Sequence, residues 1–399
     1  MDDRTGARCQ AFGNGKFIPP RRYGSLSMMS SGSNAHRLRT KERLLVSHEI
    51  GQVESMSKNA KPSDQSDGDL RPTSYDVAKL AGVSQSAVSR CFRPGSSISA
   101  KTKAKVLKAA KQIGYHPNAM ASGLMTKRTG LVAVIISSLT NLYYPEVLAE
   151  ITQRLSDRDT RVLLFALRSE SEVETLLEQI WRYRVDGAIV AASLSSKQIL
   201  EFKRHKVPLV LYNRQSEDLA VSSVSCDSVV GERSLVDMLV AAGHKSFGII
   251  SGPKDSFVSQ ERVRSSLARL EDHGLQARVV EGGFDYDSGR AGLEELLEQS
   301  RGKLEALISV NDLMAIGAID AARAKGLKVP EDLSIVGFDG VAPSGWESYQ
   351  LTTIRQPVRR MSEAAVSMVL ERVENPSLPP EVRSFAGSLI EGGSAQFSK

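Results

Sequence analysis

The chain has 399 residues, 41% hydrophobic and 25% charged, which is material for two or three domains and excludes wholesale disorder or a fibrous repeat. The net charge of +6 is unevenly spread: residues 71–130 hold eleven Lys and Arg against one acidic residue, Asp76, whereas from 131 onward 37 acidic residues outnumber 30 basic ones. A basic module ahead of an acidic body excludes a uniform surface and directs the small module toward a polyanion.

Residues 1–70 are rich in Ser, Gly, Asn, Lys and Arg with little sustained periodicity, and read as a disordered extension in which Met28, Met29 and Met56 are alternative translation starts. No apolar run approaches the roughly 18 residues a membrane helix needs, and the N-terminus lacks an apolar export region, so the expected location is the cytoplasm with no membrane partner. Cys9, Cys91 and Cys226 are far apart and odd in number, which suits a reducing compartment rather than a disulfide framework or a metal knuckle.

From Thr73 the chain changes character. Thr73-Ser-Tyr-Asp76 is a capping-box start followed by Val77, Leu80 and Ala81 at helical spacing, then Gly82. Ser84 caps a second helix through Phe92 with Val88 inward, and Ser99 caps a third carrying Val106, Leu107, Ala110 and Ile113 before Gly114. Helix, tight turn and helix is the spacing that lets one helix cross a DNA backbone while the next enters the major groove. Gln85 and Ser86, at the start of the second helix, are candidates for base edges, and Arg90 for a guanine or a phosphate.

Beyond Leu131, apolar runs (LVAVII, RVLLFAL, GAIVAA, VPLVLY, FGIIS, EALISV and LSIVGF) alternate with amphipathic helical stretches, the pattern of doubly wound parallel sheets. This length exceeds one open-sheet unit, so two α/β lobes with a ligand cleft between them are expected.

The segments TSYDVAKLAGVSQSAVSR and SAKTKAKVLKAAKQIGYHPNAMASGLMTKRTGLVAVI closely resemble the headpiece and hinge of the lactose/galactose repressor (LacI/GalR) family. The resemblance continues through VNDLMAIGAIDAARAKGLKVPEDLSIVGFDG and LTTIRQP to about Gly393, some four-fifths of the chain. It implies a small all-α helix-turn-helix DNA-binding domain over 71–116, a hinge helix and linker over 117–130, and a two-lobed periplasmic-binding-protein-like domain for effector and dimer formation over 131–399. Gln85, Ser86 and Arg90 then read bases, and Thr73, Ser84, Ser89, Ser99 and Thr102 contact phosphates, with Tyr75 fixing the first helix. In the hinge, Asn118 and Ala121 lie near the groove and Leu124 is the apolar wedge that kinks the duplex. Two departures stand out. Arg93-Pro94-Gly95 replaces a small or polar turn, so Arg93 takes over a phosphate contact there, and Gly123 weakens the hinge helix by about 1 kcal/mol against Ala.

A polyol needs converging donors and acceptors plus a flat apolar face. Arg262, Asn311 and Asp339 offer the first and Phe284 the second, and the resemblance aligns these four with effector-binding positions. It also aligns Asn213, Gln356, Tyr143 and Tyr144, while Trp346 is expected to face the cleft mouth. Asn213 in place of Asp, and Ser138-Leu139-Thr140-Asn141 in place of Asp-Ile-Ser-Asn, alter the first-lobe contacts. The implied partners are a palindromic double-stranded DNA operator, a small sugar-like effector and a second copy of the chain, with repression as the common mode of the family. Phosphate-loop, nucleophile-elbow and zinc-protease motifs are absent, and His48, His205 and His244 have no metal-ligand spacing, so neither catalysis, a cofactor nor a metal is expected.

Overall fold

The computed structural model describes residues 71–93, 95–117, 128–137, 139–167, 172–216 and 218–397. The extension 1–70 and the hinge positions Asn118, Ala121, Gly123 and Leu124 lie outside the described residues.

The first module is three helices, α1 (Ser74–Ala81), α2 (Gln85–Cys91) and α3 (Ala100–Gln112), each starting where the sequence places a cap. The Thr73 hydroxyl accepts from the Asp76 amide while the Asp76 carboxylate accepts from the Thr73 amide at 2.8 Å, closing the capping box. Ser84 accepts from the Ala87 amide and Ser99 from the Thr102 amide. Gly82, at φ 66°, supplies the left-handed residue that ends α1 and turns the chain into α2. Val77, Ala78, Val88, Cys91, Val106, Ala109 and Ala110 form the core of the module, where the free Cys91 acts as a small apolar residue. Leu80 and Leu107, expected inward, are exposed. Leu80 lies two residues from Ala78 and therefore on the opposite side of α1, and on α3 the buried stripe runs through Val106, Ala109 and Ala110 instead.

The body has two six-stranded sheets. The first comprises β1 (Leu131–Ser137), β2 (Arg161–Leu167), β3 (Gly187–Ala191), β4 (Leu209–Tyr212), β5 (Ser222–Asp227) and β11 (Val382–Ala386), in the order β11-β5-β4-β3-β1-β2 and parallel throughout. It is served by helices α4 (Tyr143–Ser156), α5 (Val173–Tyr183), α6 (Ser196–Arg204) and α11 (Val358–Glu374). Alternate residues of β1 enter different cores: Val132, Val134 and Ile136 pack with residues of α4 and α11, whereas Ala133 and Ile135 pack with those of α5 and α6. Burial on both faces is why the inner strands β1, β3 and β4 read as continuous apolar runs.

The second sheet comprises β6 (Phe247–Ser251), β7 (Ala277–Glu281), β8 (Ala306–Ser309), β9 (Ser334–Asp339), β10 (Thr352–Arg355) and β12 (Ser388–Ile390), in the order β12-β10-β9-β8-β6-β7. Only β12 is antiparallel to its neighbour. Helices α7 (Ser228–Ala241), α8 (Phe257–Asp272), α9 (Tyr286–Gln299) and α10 (Asp312–Ala324) accompany it. Helices α9 and α10 meet backbone to backbone: a Cβ on Gly289 would stand 2.1 Å from the Met314 carbonyl oxygen, and one on Gly317 2.1 Å from that of Tyr286.

The chain passes between lobes three times, from β5 to α7, from β10 to α11 and from β11 to β12. Gly387, in the third passage, brings the three together, because a Cβ there would lie 2.5 Å from Ile354 Cγ2, 3.2 Å from the Arg355 carbonyl oxygen and 3.4 Å from Cys226 Sγ. On the surface Arg355 ties the second lobe to Glu146 of α4 at 2.8 Å.

Candidate functional site

In the helical module, Ser86, Ser89 and Arg90 of α2 are exposed, and Gln85 is half-buried with its amide donating to Ser74 Oγ at 3.3 Å. Arg90 Nε donates to the Ser86 carbonyl at 3.3 Å, so its guanidinium lies back along the helix toward its N-terminus. Ser84 and Ser99 are occupied as caps, and the Ser84 and Ser86 hydroxyls stand 2.9 Å apart. Thr102 Oγ1 pairs with Ser99 Oγ at 2.8 Å. Tyr75 is exposed and packs into no core, while Arg93 is exposed beside Ser96, whose hydroxyl donates to the Arg93 and Arg90 carbonyls. With Lys101, Lys103, Lys105, Lys108 and Lys111 exposed on α3, the module presents polar hydrogen-bonding groups among cations.

Between the lobes lies a cavity of about 240 Å³ lined by seven of the nine residues singled out from the sequence: Tyr143, Tyr144, Asn213, Arg262, Phe284, Asp339 and Gln356. A continuous chain of hydrogen bonds crosses it. Asn213 is gripped through Oδ1 by the Cys226 amide at 3.1 Å and donates from Nδ2 to Tyr143 Oη at 3.1 Å and Gln356 Oε1 at 2.8 Å. Gln356, in the second passage between lobes, donates to Asp339 Oδ1 at 2.7 Å. Arg262 of α8 donates to the same oxygen at 3.0 Å and to the Val310 carbonyl at 2.6 Å, with its guanidinium carbon 3.7 Å from the centroid of the Phe338 ring. The Phe284 ring lies flat on the backbone only because residue 252 is glycine, where a Cβ would be 2.3 Å from Phe284 Cζ.

Three lining residues hold left-handed backbones, Asn213 at φ 50°, Phe284 at 64° and Asp339 at 122°. Such conformations cost about 1–3 kcal/mol each and gather where the surrounding structure fixes a side chain for use. Burial raises the Asp339 carboxyl, against the opposing pull of Arg262, and raises the Tyr143 hydroxyl well above its ordinary range. Behind the cavity, burial pushes Glu232 of α7 up to about 7 and Asp312 up to about 8. Among the described residues, Arg262 Nε, Arg214 Nε and Glu232 Oε1 are buried without a hydrogen-bond partner.

Asn311 and Trp346 stand outside the cavity lining. Asn311 is fully buried and spends its amide locally: Oδ1 caps α10 by accepting from the Met314 amide at 3.0 Å, and Nδ2 donates to the Phe284 carbonyl at 3.1 Å. It holds the Phe284 loop rather than facing the cavity. Trp346, expected at the cleft mouth, follows the short 3₁₀ turn Ala342–Gly345 and is 58% exposed. Sequence reading missed Ser137, Arg214, Pro253, Asp255, Ser256 and Val258 among the lining residues. Their signal was positional, since Ser137 ends β1, Arg214 follows β4 and the segment 253–256 follows β6, at the carboxyl ends where open sheets collect ligands.

The model described as "Bacterial regulatory proteins, lacI family" matches residues 73–118, and the "Periplasmic binding protein-like domain" matches residues 236–395. Catabolite control protein A of Priestia megaterium is 32% identical over 306 residues, covering 75% of this chain and 92% of that protein. The HTH-type transcriptional repressor PurR of Pasteurella multocida is 30% identical over 313 residues, covering 76% and 93%. Among solved structures, the lac repressor dimer bound to operator and the anti-inducer ONPF is similar with a TM-score of 0.73 at 27% identity, covering 82% of this chain and 99% of that one. The transcriptional regulator CelR–cellobiose complex is similar at 0.62 and 29%, covering 82% and 100%. The capped helix-turn-helix, the two lobes and full-length relatives at this identity agree: the chain belongs to the LacI family of bacterial regulatory proteins.

Proposed function

We propose that this chain is a cytoplasmic, dimeric transcriptional repressor that binds a palindromic operator and is controlled by a small sugar-like effector in the interlobe cavity. The division of labour follows the chain: 71–116 reads DNA, 117–130 forms the hinge, 131–399 binds effector and dimerises, and 1–70 is an extension. Gln85, Ser86 and Arg90 take base edges. Thr73, Ser84, Ser89, Arg93, Ser99 and Thr102 take phosphates, with Tyr75 beside them, and Asn118, Ala121 and Leu124 enter the groove from the hinge.

The observation that carries the reading is the hydrogen-bond chain Asn213–Gln356–Asp339–Arg262, which joins groups of both lobes across one cavity. A polyol hydroxyl that donates to Asp339 or accepts from Arg262 competes with these bonds, so its binding favours one lobe arrangement over another. In a dimer that changes the spacing of two DNA-reading modules, and DNA affinity shifts reciprocally. The relatives named above are regulators rather than enzymes, and catalysis has no part in this mechanism.

The test is selection of genomic fragments by the purified full chain at two salt concentrations, because phosphate contacts make affinity steeply salt-dependent. A recovered palindrome, lost with Arg90→Ala or Leu124→Ala, is the expected result. Absence of any enriched sequence at either salt overturns the DNA-reading assignment.

A further inference from the structure

A second cavity, larger than the first at about 450 Å³, lies at the opposite ends of the first-lobe strands, where the linker enters the body. Its walls come from the ends of α5 and α6 and the entries to β3 and β4, with Arg128 of the linker and Val373 of α11. The ring of Trp181 stacks on His205 at 4.1 Å and 5°, and Val185, Val207 and Pro208 supply an apolar wall.

Arg184 and Lys206 give this cavity its character. They follow α5 and α6 in left-handed conformations, at φ 50° and 57°. Glycine adopts this backbone without strain, and it is what the chain uses after α7, α8 and α10, at Gly243, Gly274 and Gly326, whereas Asp159 after α4 and Arg301 after α9 are non-glycine as Arg184 and Lys206 are. The helix dipoles do not require these cations, because α5 already carries Arg182 in its last turn and α6 carries Lys203 and Arg204. Five of the eight described non-glycine residues with positive φ line one or other of the two cavities, which is where strain for function gathers. Neither side chain has a hydrogen bond or ion pair among the described residues. The acidic residue of the lining, Asp186, is engaged by the linker: it accepts from the Thr129 amide at 2.9 Å, the Gly130 amide at 2.7 Å and the Thr129 hydroxyl at 3.1 Å. An arginine fork and a lysine point charge, both exposed and without a protein partner among the described residues, beside an apolar wall fit a phosphate group, which carries close to two negative charges near neutrality, on a body that has an apolar face.

We propose that this cavity is a second ligand site taking a small phosphate-bearing molecule, and that its occupancy alters DNA affinity through the linker rooted on Asp186. The second half rests on the DNA-binding function proposed above; the first does not. Of the two tryptophans, Trp181 and Trp346, one lines the site, so Trp346→Phe leaves Trp181 as the sole tryptophan reporter in the full chain. That protein is titrated with inorganic pyrophosphate and separately with AMP, at ionic strength matched by chloride. Saturable change in Trp181 fluorescence is expected with at least one of them. Its half-saturation point should rise by about tenfold or more with Arg184→Gly plus Lys206→Gly. Those variants keep the fold, because glycine suits both backbones.

Absence of saturation with both probes, or an unchanged titration in the double variant, overturns the site. DNA affinity that falls in the double variant without any probe response also overturns it, since the two cations would then serve the duplex. With Trp181 saturated, altered retention of the selected DNA fragments relative to the chloride control is expected, and unaltered retention overturns the coupling. If no fragment is retained under any condition, the fluorescence titration still decides the site.

Discussion

At the residue scale, the buried charges around Arg262 set the behaviour of the interlobe cavity. The Arg262–Asp339 pair is almost wholly buried, so removing one partner strands the other. Arg262→Leu should therefore cost about 3–5 kcal/mol at neutral pH, read as a denaturant midpoint, and less as pH falls and Asp339 takes up a proton. Glu232 behaves in the opposite sense to a surface carboxylate. Its pKa rises from an ordinary 4.5 to about 7 in the folded chain, so between these values the unfolded chain is ionised while the folded chain holds its proton. Stability contributed by this residue is intact below pH 4.5 and declines as pH rises toward 7. Glu232→Gln should remove up to about 3 kcal/mol of that decline, measured by urea denaturation across the window. A wild-type and variant difference that is flat in pH contradicts the assignment.

At the scale of elements, caps and glycines decide what forms and how closely it packs. Thr73→Ala opens the capping box of α1 and should lower the stability of the helical module by about 1 kcal/mol, seen as faster amide exchange at Asp76. Gly289→Ala drives a methyl group into the backbone of Met314 and should cost more than 2 kcal/mol, roughly, because backbone rather than a flexible side chain must yield. The elements most legible in the sequence were those with a local signal: the caps at Thr73, Ser84 and Ser99, and the apolar strands with both faces covered. Strand β5 was hidden because its ladder is built from buried Ser222, Ser223 and Ser225, and β11 and β12 because short strands with alternating exposure offer no apolar run. The cavity was legible where a side chain suited to a polyol follows a strand. Asn311 follows a strand by the same logic, but an asparagine at that point is also an ideal helix cap, and its amide is spent on the cap and on the Phe284 carbonyl, so it stands outside the cavity lining.

At the scale of the whole molecule, the passages between lobes meet at Gly387. Gly387→Leu should wedge them apart, changing the radius of gyration in small-angle scattering and the affinity for selected DNA without ligand. Unchanged scattering would assign the lobe angle to the Arg355–Glu146 strap and the cavity bonds instead.

The order in which strands enter the two sheets bears on how the protein is made. Strand β11 closes the edge of the first sheet, β12 closes the edge of the second, and Ser394 ties the tail to both Ile335 and Thr352. On the ribosome the helical module emerges before the body and holds a core of its own, while neither lobe acquires its final strand until residues 382–390 have been made. A nascent chain thus carries a formed headpiece well before its regulatory body is sealed, and truncation near the C-terminus damages both lobes at once.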